Sequence, residues 1–237
     1  METPVNAPFT EKVRIEFKKL KEMSFKDKVE YIWGYYKFYI ISFIVILAVT
    51  ASLLYSRVIN PAPTTVLFIS LNGGFATVEQ ITDLTTALEK RLIYEDANEE
   101  VIISQMLIRG GDMTAAMMNN TRITAMIAAG QLDVFLNDFE MLEVHSLNGF
   151  LRAMEEGMLI NLNAMNPAAF KQIEDNFVYI SHDFDDGTSI EYLAGVNIGK
   201  SPLLTGLGFF EQDLIFSIAV TTRNLETVLR ALITFFD

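Results

Sequence analysis

The chain of 237 residues contains no cysteine. That absence excludes disulfides, thiolate metal sites, a cysteine nucleophile and a lipidated cysteine anchor. Histidine is nearly absent too, with His145 and His182 alone, and Trp33 is the one tryptophan. Two histidines supply the usual nucleophilic triads poorly, and their separation gives no H-x-x-x-H zinc spacing. Positive charge is scarce: 18 Lys+Arg against 30 Asp+Glu give a net charge of −12. That balance is the reverse of the basic footprint of a nucleic-acid-binding protein. The sequence also lacks a G-x-S-x-G elbow, a Walker loop and a dinucleotide fingerprint. Adjacent carboxylates such as Glu99-Glu100 and Glu155-Glu156 read as solvated faces. The expectation is a non-enzyme that needs neither cofactor nor metal. Apolar residues make up 51 % and charged residues 20 %, so global disorder is excluded and a sizeable core is available.

What is present is distributed unevenly. Residues 1–38 hold eight basic and six acidic side chains, whereas residues 60–237 hold nine basic and 24 acidic ones. Between Lys37 and Arg57 lie 19 residues without any charge, FYIISFIVILAVTASLLYS. At about 1.5 Å per residue, such a helix spans a bilayer core of roughly 30 Å. A buried core helix would keep a polar face, but residues 40–49 are apolar all round except Ser42. A cleaved signal peptide would have to start its apolar core after a 37-residue leader, and Val49-Thr50-Ala51 is a weak cleavage pattern. The reading is an uncleaved single span, 38–56. Lysines crowd its N-terminal side, so the positive-inside rule puts residues 1–37 in the cytoplasm and the C-terminal domain outside the cell membrane.

Ser24 followed by Asp27 forms a capping pattern before FKDKVEYIWGYYKFY. Phe25, Val29, Ile32, Trp33 and Tyr36 fall on one helical face. Tyr31, Trp33, Tyr35, Tyr36 and Tyr39 gather just before the span, as rings that prefer the headgroup layer do. The expectation is an amphipathic juxtamembrane helix whose aromatic girdle positions the anchor; docking of a cytoplasmic partner is the competing role.

After a stiff linker, 57–63, ending in Asn60-Pro61-Ala62-Pro63, the pattern becomes α/β. Thr64–Leu71 reads as a buried strand, closed by Asn72-Gly73-Gly74. Thr77 and Gln80 can cap a helix carrying Val78, Ile81, Leu84, Leu88 and Leu92. Glu100–Ile108 is a second strand, closed by Gly110-Gly111-Asp112. A helix over Thr121–Ala129 follows, with Asn119-Asn120 as a candidate break. Leu132–Leu136 is a third strand and Asp138–Leu147 a short helix. Asp185-Asp186-Gly187 sits between two strand-like runs, a hairpin signal. Leu214–Thr221 is a last strand and Asn224–Phe236 a closing helix. The expected domain, 64–237, is a three-layer αβα lobe with a mostly parallel sheet plus an antiparallel hairpin.

The run Thr121–Asp138, with Ala128-Ala129-Gly130-Gln131-Leu132-Asp133-Val134 at its centre, resembles bacterial extracellular solute-binding proteins of the periplasmic-binding-protein type, the receptors of ABC importers. Gly149-Phe150-Leu151 and the stretch from Ser201-Pro202 to Arg223-Asn224 are similar to later parts of such a lobe. The resemblance implies a binding lobe; about 175 residues outside the membrane leave room for one lobe rather than two.

Ligands in open α/β sheets bind at the carboxyl ends of the strands. The candidate ligand site is therefore Asn72, Gly73, Gly74, Gly110, Gly111, Asp112, Asn137 and Asp138. Ordinary turn chemistry competes for the same glycines. Asp183, Asp185 and Glu191 are calcium-type ligands, but their spacing fails the EF-hand loop and suits a hairpin turn. Met113, Met117, Met118 and Met126 read as core filler. Gly206-Leu207-Gly208-Phe209-Phe210 is a candidate exposed apolar patch or a buried turn. The favoured function is a membrane-anchored binding or scaffolding module that contacts another envelope protein. The alternative is a tethered receptor for a small solute, and a hydrolase ranks last for want of a convergent catalytic set.

Overall fold

The computed structural model describes residues 8–72, 76–94, 97–106, 113–183, 189–209 and 213–237. The chain divides into two units, Met1–Ala62 and Pro63–Asp237.

In the first unit, α1 (Phe9–Glu22) and α2 (Phe25–Leu54) are separated by extended backbone at Met23 and Ser24. Ser24 caps α2 as its spacing predicts: the Asp27 N–H donates to Ser24 Oγ at 3.4 Å, and the Ser24 hydroxyl donates to Asp27 Oδ2 at 2.6 Å. The helix runs on through π-helical turns over Tyr55–Ile59 and stops at Asn60, before the first linker proline. No residue of α2 is buried. Residues Phe25–Ile59 form a helix of 35 residues whose apolar centre has a mean hydropathy of 2.3, long and apolar enough to cross a membrane. The juxtamembrane stretch is not a separate helix, because hydrogen bonding passes unbroken from Phe25 through Leu54 with no proline to stop it. The separate amphipathic helix is α1.

The second unit is mixed α/β. Its strands are β1 (Thr64–Leu71), β2 (Glu99–Gln105), β3 (Val134–Asn137), β4 (Leu151–Arg152), β5 (Phe177–Asp183), β6 (Ser189–Asn197) and β7 (Ile215–Ala219). Its helices are α3 (Val78–Leu92), α4 (Met113–Ala129), α5 (Phe139–Leu147), α6 (Glu156–Met165), α7 (Pro167–Glu174), α8 (Pro202–Gly206) and α9 (Leu225–Phe236). One sheet runs in the order β2-β1-β3-β7-β6-β5, with β4 also pairing β7. β1 pairs β2 and β3 in parallel, and every pairing beyond β3 is antiparallel. Antiparallel pairing thus extends past the expected hairpin. β7 lies between β3 and β6, with Phe216 opposite both Leu136 and Val196. The Asp183↔Ser189 register of β5 and β6 agrees with a hairpin.

Period-two alternation sorts the strand side chains into two cores. Leu67, Ile69, Val134, Leu136, Phe216 and Ile218 join Leu84 and Leu88 of α3, Leu162 of α6, Ile173 of α7 and the α9 stripe. Phe135, Ala194, Ile215 and Ala219 join Ile123, Met126 and Ile127 of α4 and Leu142 of α5. Thr77 and Gln80 cap α3 reciprocally, at 3.2 and 3.0 Å. Helix α4 runs through Asn119-Asn120, because burying Ile123 and its neighbours outweighs two weak helix formers. In this unit the expected sequence elements omit α6, α7, α8 and β4. Asn166 caps α7 through the Ala169 N–H at 3.1 Å, ahead of Pro167 at the first turn.

Gly195 sits in a close contact between β6 and β7. A Cβ there would lie 2.5 Å from the Phe216 carbonyl oxygen and 2.8 Å from Ile215 Cγ2. The first neighbour is backbone and cannot swing aside. Gly195→Ala is expected to cost about 1–3 kcal/mol, read as a lower denaturation midpoint with an unchanged slope.

Candidate functional site

In the order β2-β1-β3, the chain leaves β1 toward one side and returns to the other, so the switch point lies between the carboxyl ends of β1 and β3. Asn72 follows β1 and Asn137 ends β3, and the structure brings them together. The Asn72 amide donates to Asn137 Oδ1 at 3.2 Å, the Asn137 amide donates to Ser217 Oγ at 3.1 Å, and the Ser70 hydroxyl donates to Asn72 Oδ1 at 2.8 Å. The Asn72 N–H also donates to the Leu136 carbonyl at 2.8 Å. Ser70, Asn137 and Ser217 are fully buried and Asn72 is 7 % exposed. The four side chains form a neutral relay across β1, β3 and β7. Such a relay satisfies buried polar groups and fixes strand register, and it offers no proton acceptor for acid–base chemistry. Asp138, beside it, caps α5 by accepting the Met141 N–H at 2.9 Å. Gly73, Gly74, Gly110, Gly111 and Asp112 lie outside the described residues.

At the opposite end of the sheet, Asp133 precedes β3 and is 5 % exposed. Its Oδ2 accepts the Phe68 N–H at 2.9 Å and its Oδ1 accepts the Thr222 hydroxyl at 2.5 Å. Burial pushes its carboxyl above the usual range, against the two hydrogen bonds that favour the anion. Gly130, at φ +64, ends α4, with the Gln131 N–H bonded to the Met126 carbonyl at 3.0 Å and the Gly130 N–H to Ile127 at 2.9 Å. The glycine and the aspartate of the resemblance motif therefore serve a helix stop and a strand anchor. A cleft of about 490 Å³ opens here, lined among others by Thr65, Gln131, Asp133, Arg223 and Asn224.

A third cluster escaped sequence reasoning because its members come from α5, β5 and β6. A hydrogen bond of 2.5 Å joins Ser146 Oγ and His182 Nε2, and Tyr192 OH also bonds Ser146 Oγ. A Ser–His contact is half of a nucleophile–base pair. Among the described residues, no side-chain hydrogen bond is made by the other His182 nitrogen. Ser146 also sits at the carboxyl end of α5, where the helix dipole disfavours an anion. The contact docks the β5–β6 hairpin onto α5. His145, next to it, is 1 % exposed and packs against Phe135 and Phe150 at ring distances of 4.4 and 6.1 Å. Neither of its ring nitrogens has a partner among the described residues, and burial lowers its pKa to about 4.

Among the described residues no three His, Asp or Glu side chains gather in a way that could hold a metal ion. Asp185 lies outside the described residues, and Glu191 pairs with Ser181 across the hairpin. Within the Gly206–Phe210 run Phe209 is buried at 8 % exposure and Leu207 is half-buried, while Gly206 and Gly208 are exposed, so the run presents no large apolar side chain among its described residues; Phe210 lies outside them. Met126 is core, but Met117 and Met118 are 71 % and 69 % exposed, which corrects their reading as core filler. In the first unit, Tyr31 stacks near Tyr35 and Tyr36, with centroids 4.8 and 6.5 Å apart, and Tyr36 lies 6.5 Å from Tyr39. Trp33 is exposed on the same helix. No protein-family model, no curated protein and no solved structure matches this chain.

Proposed function

We propose that the chain is a single-pass, membrane-anchored binding or scaffolding module whose extracytoplasmic lobe contacts another envelope protein. The observation that carries this reading is the outer side of α4 and α5. Both helices pack their inner sides into one core cluster, yet outward they expose Met117 and Met118 on α4 and Phe139, Val144 and Leu147 on α5. Large exposed apolar side chains on two helices that cover the same sheet face support an interaction surface there. The relay among Asn72, Asn137 and Ser217 supports the same reading, since these groups are spent on one another rather than turned toward a solute. The α3, α6, α7 and α9 side chains on one sheet face and those of α4 and α5 on the other support a three-layer lobe of the solute-binding kind. The unburied α2 supports the anchor, and the lysines before it support an inside N-terminus.

The test is a photo-crosslinking residue at Leu147 of the full chain in its native membranes, with exposed Lys171 on α7 as control. A discrete adduct from position 147 alone is the expected result. Absence of any adduct, together with a concentration-dependent melting shift caused by an amino acid, peptide or sugar, would replace this reading with the solute receptor.

A further inference from the structure

We infer that the basic face of α1 binds the anionic lipid headgroups of the leaflet that α2 enters. Arg14, Lys18 and Lys21 recur at i, i+4 and i+7, so one side of α1 carries three cations in a row. These three and Lys28 of α2 line one open cleft of about 510 Å³, together with Phe17 and Leu20. None of the four cations forms an ion pair among the described residues. Phe17 is 70 % exposed. Four converging cations beside an exposed aromatic ring fit a phosphate-bearing amphiphile: charge at the cleft, hydrocarbon beside it.

The distances suit this occupant. Lys28 stands nine residues, or about 14 Å of helix, before Lys37 at the edge of the uncharged span. The headgroup layer is roughly 5–8 Å deep per leaflet, a lysine side chain reaches several Å further, and screening in physiological salt extends over about 8 Å. The extended backbone at Met23 and Ser24 sets α1 at an angle to α2, so α1 need not continue the axis of the span away from the surface. The aromatic rings from Tyr31 to Tyr39 then occupy the headgroup layer itself.

This inference rests on α2 being a membrane span, and the experiment separates the two. The chain has no cysteine, so one introduced cysteine labels uniquely. The full chain is reconstituted in phosphatidylcholine vesicles with or without phosphatidylglycerol. A fluorophore is placed at Glu22→Cys, on α1 outside the cleft, and separately at Ile44→Cys within α2. Headgroup-nitroxide lipid should quench the Glu22 probe strongly only when phosphatidylglycerol is present, and molar salt should reverse this. Each neutralisation among Arg14→Gln, Lys18→Gln and Lys21→Gln should weaken docking roughly fivefold. Quenching that ignores lipid charge, salt and the variant carrying all three substitutions would overturn the inference while leaving the anchor intact. Acyl-chain nitroxide that fails to quench the Ile44 probe in either lipid would overturn the anchor as well.

Discussion

Replacing Asp133 with alanine is expected to lower stability by about 3–5 kcal/mol, the sum of two charge-assisted hydrogen bonds and the penalty for the donors they leave behind. The carboxylate joins three parts of the domain. It takes the Phe68 N–H of β1 and the Thr222 hydroxyl between β7 and α9, while its own backbone pairs with Phe68 and Ala219. Asp133→Asn keeps the shape, an acceptor for the Phe68 N–H and a donor toward the Thr222 oxygen. It also removes a buried charge whose pKa burial already raises. The asparagine variant should therefore lose about 1 kcal/mol or less. Urea melts of the full chain in detergent distinguish the two. Equal losses in both variants would show that the negative charge itself, rather than the hydrogen-bond geometry, holds the corner. The alanine variant should not change the packing of α1 and α2, which belong to the other unit.

Asp133 also illustrates what can be read along the chain. Its place in Leu132-Asp133-Val134 is visible as a motif, but Thr222 lies 89 residues away and Phe68 lies 65 away. No local periodicity relates such positions. The caps at Ser24 and Thr77 are legible because side chain and partner N–H lie three residues apart, within one turn; the same spacing at Asp138, read as a site residue, signals its cap of α5. The parallel pairings of β1, β2 and β3 were legible because buried runs alternate there with helical stripes. The insertion of β7 between β3 and β6 was not, since an apolar strand reads the same whichever way it runs. The same limit governs the candidate site. Asn72 and Asn137 qualify as site candidates by standing at strand ends, and strand ends are where the fold places them. Their commitment to Ser217, 80 residues on from Asn137, is a property of the assembled sheet. The Ser146, His182 and Tyr192 cluster was invisible for the same reason. The outward methionines of α4 misled the reading because a weakly amphipathic helix gives no clear inner side until its neighbours are known.

Acidification is expected to destabilise the fold through His145. The imidazole is buried at 1 % exposure without a partner for either nitrogen among the described residues. Burial lowers its pKa from 6.5 to about 4 in the folded chain, while the unfolded chain keeps the ordinary value. Between these pH values the unfolded state holds a proton that the folded state refuses. Stability therefore falls as pH drops below 6.5, and the loss is complete below about 4. Its size is on the order of 3 kcal/mol. Asp133 acts with the opposite sign: its raised folded pKa means that acid protonates the folded state first, so it does not add to this loss. His145→Leu is close in volume and suits the Phe135 and Phe150 surroundings. It should raise stability at neutral pH by about 1–3 kcal/mol, since two unpaired polar atoms leave the core. It should also flatten the pH dependence between 6.5 and about 4. Urea midpoints of the full chain and the variant across that range test both parts. Parallel curves for the two proteins would mean that acid acts elsewhere and that His145 finds a proton acceptor the fold does not otherwise reveal.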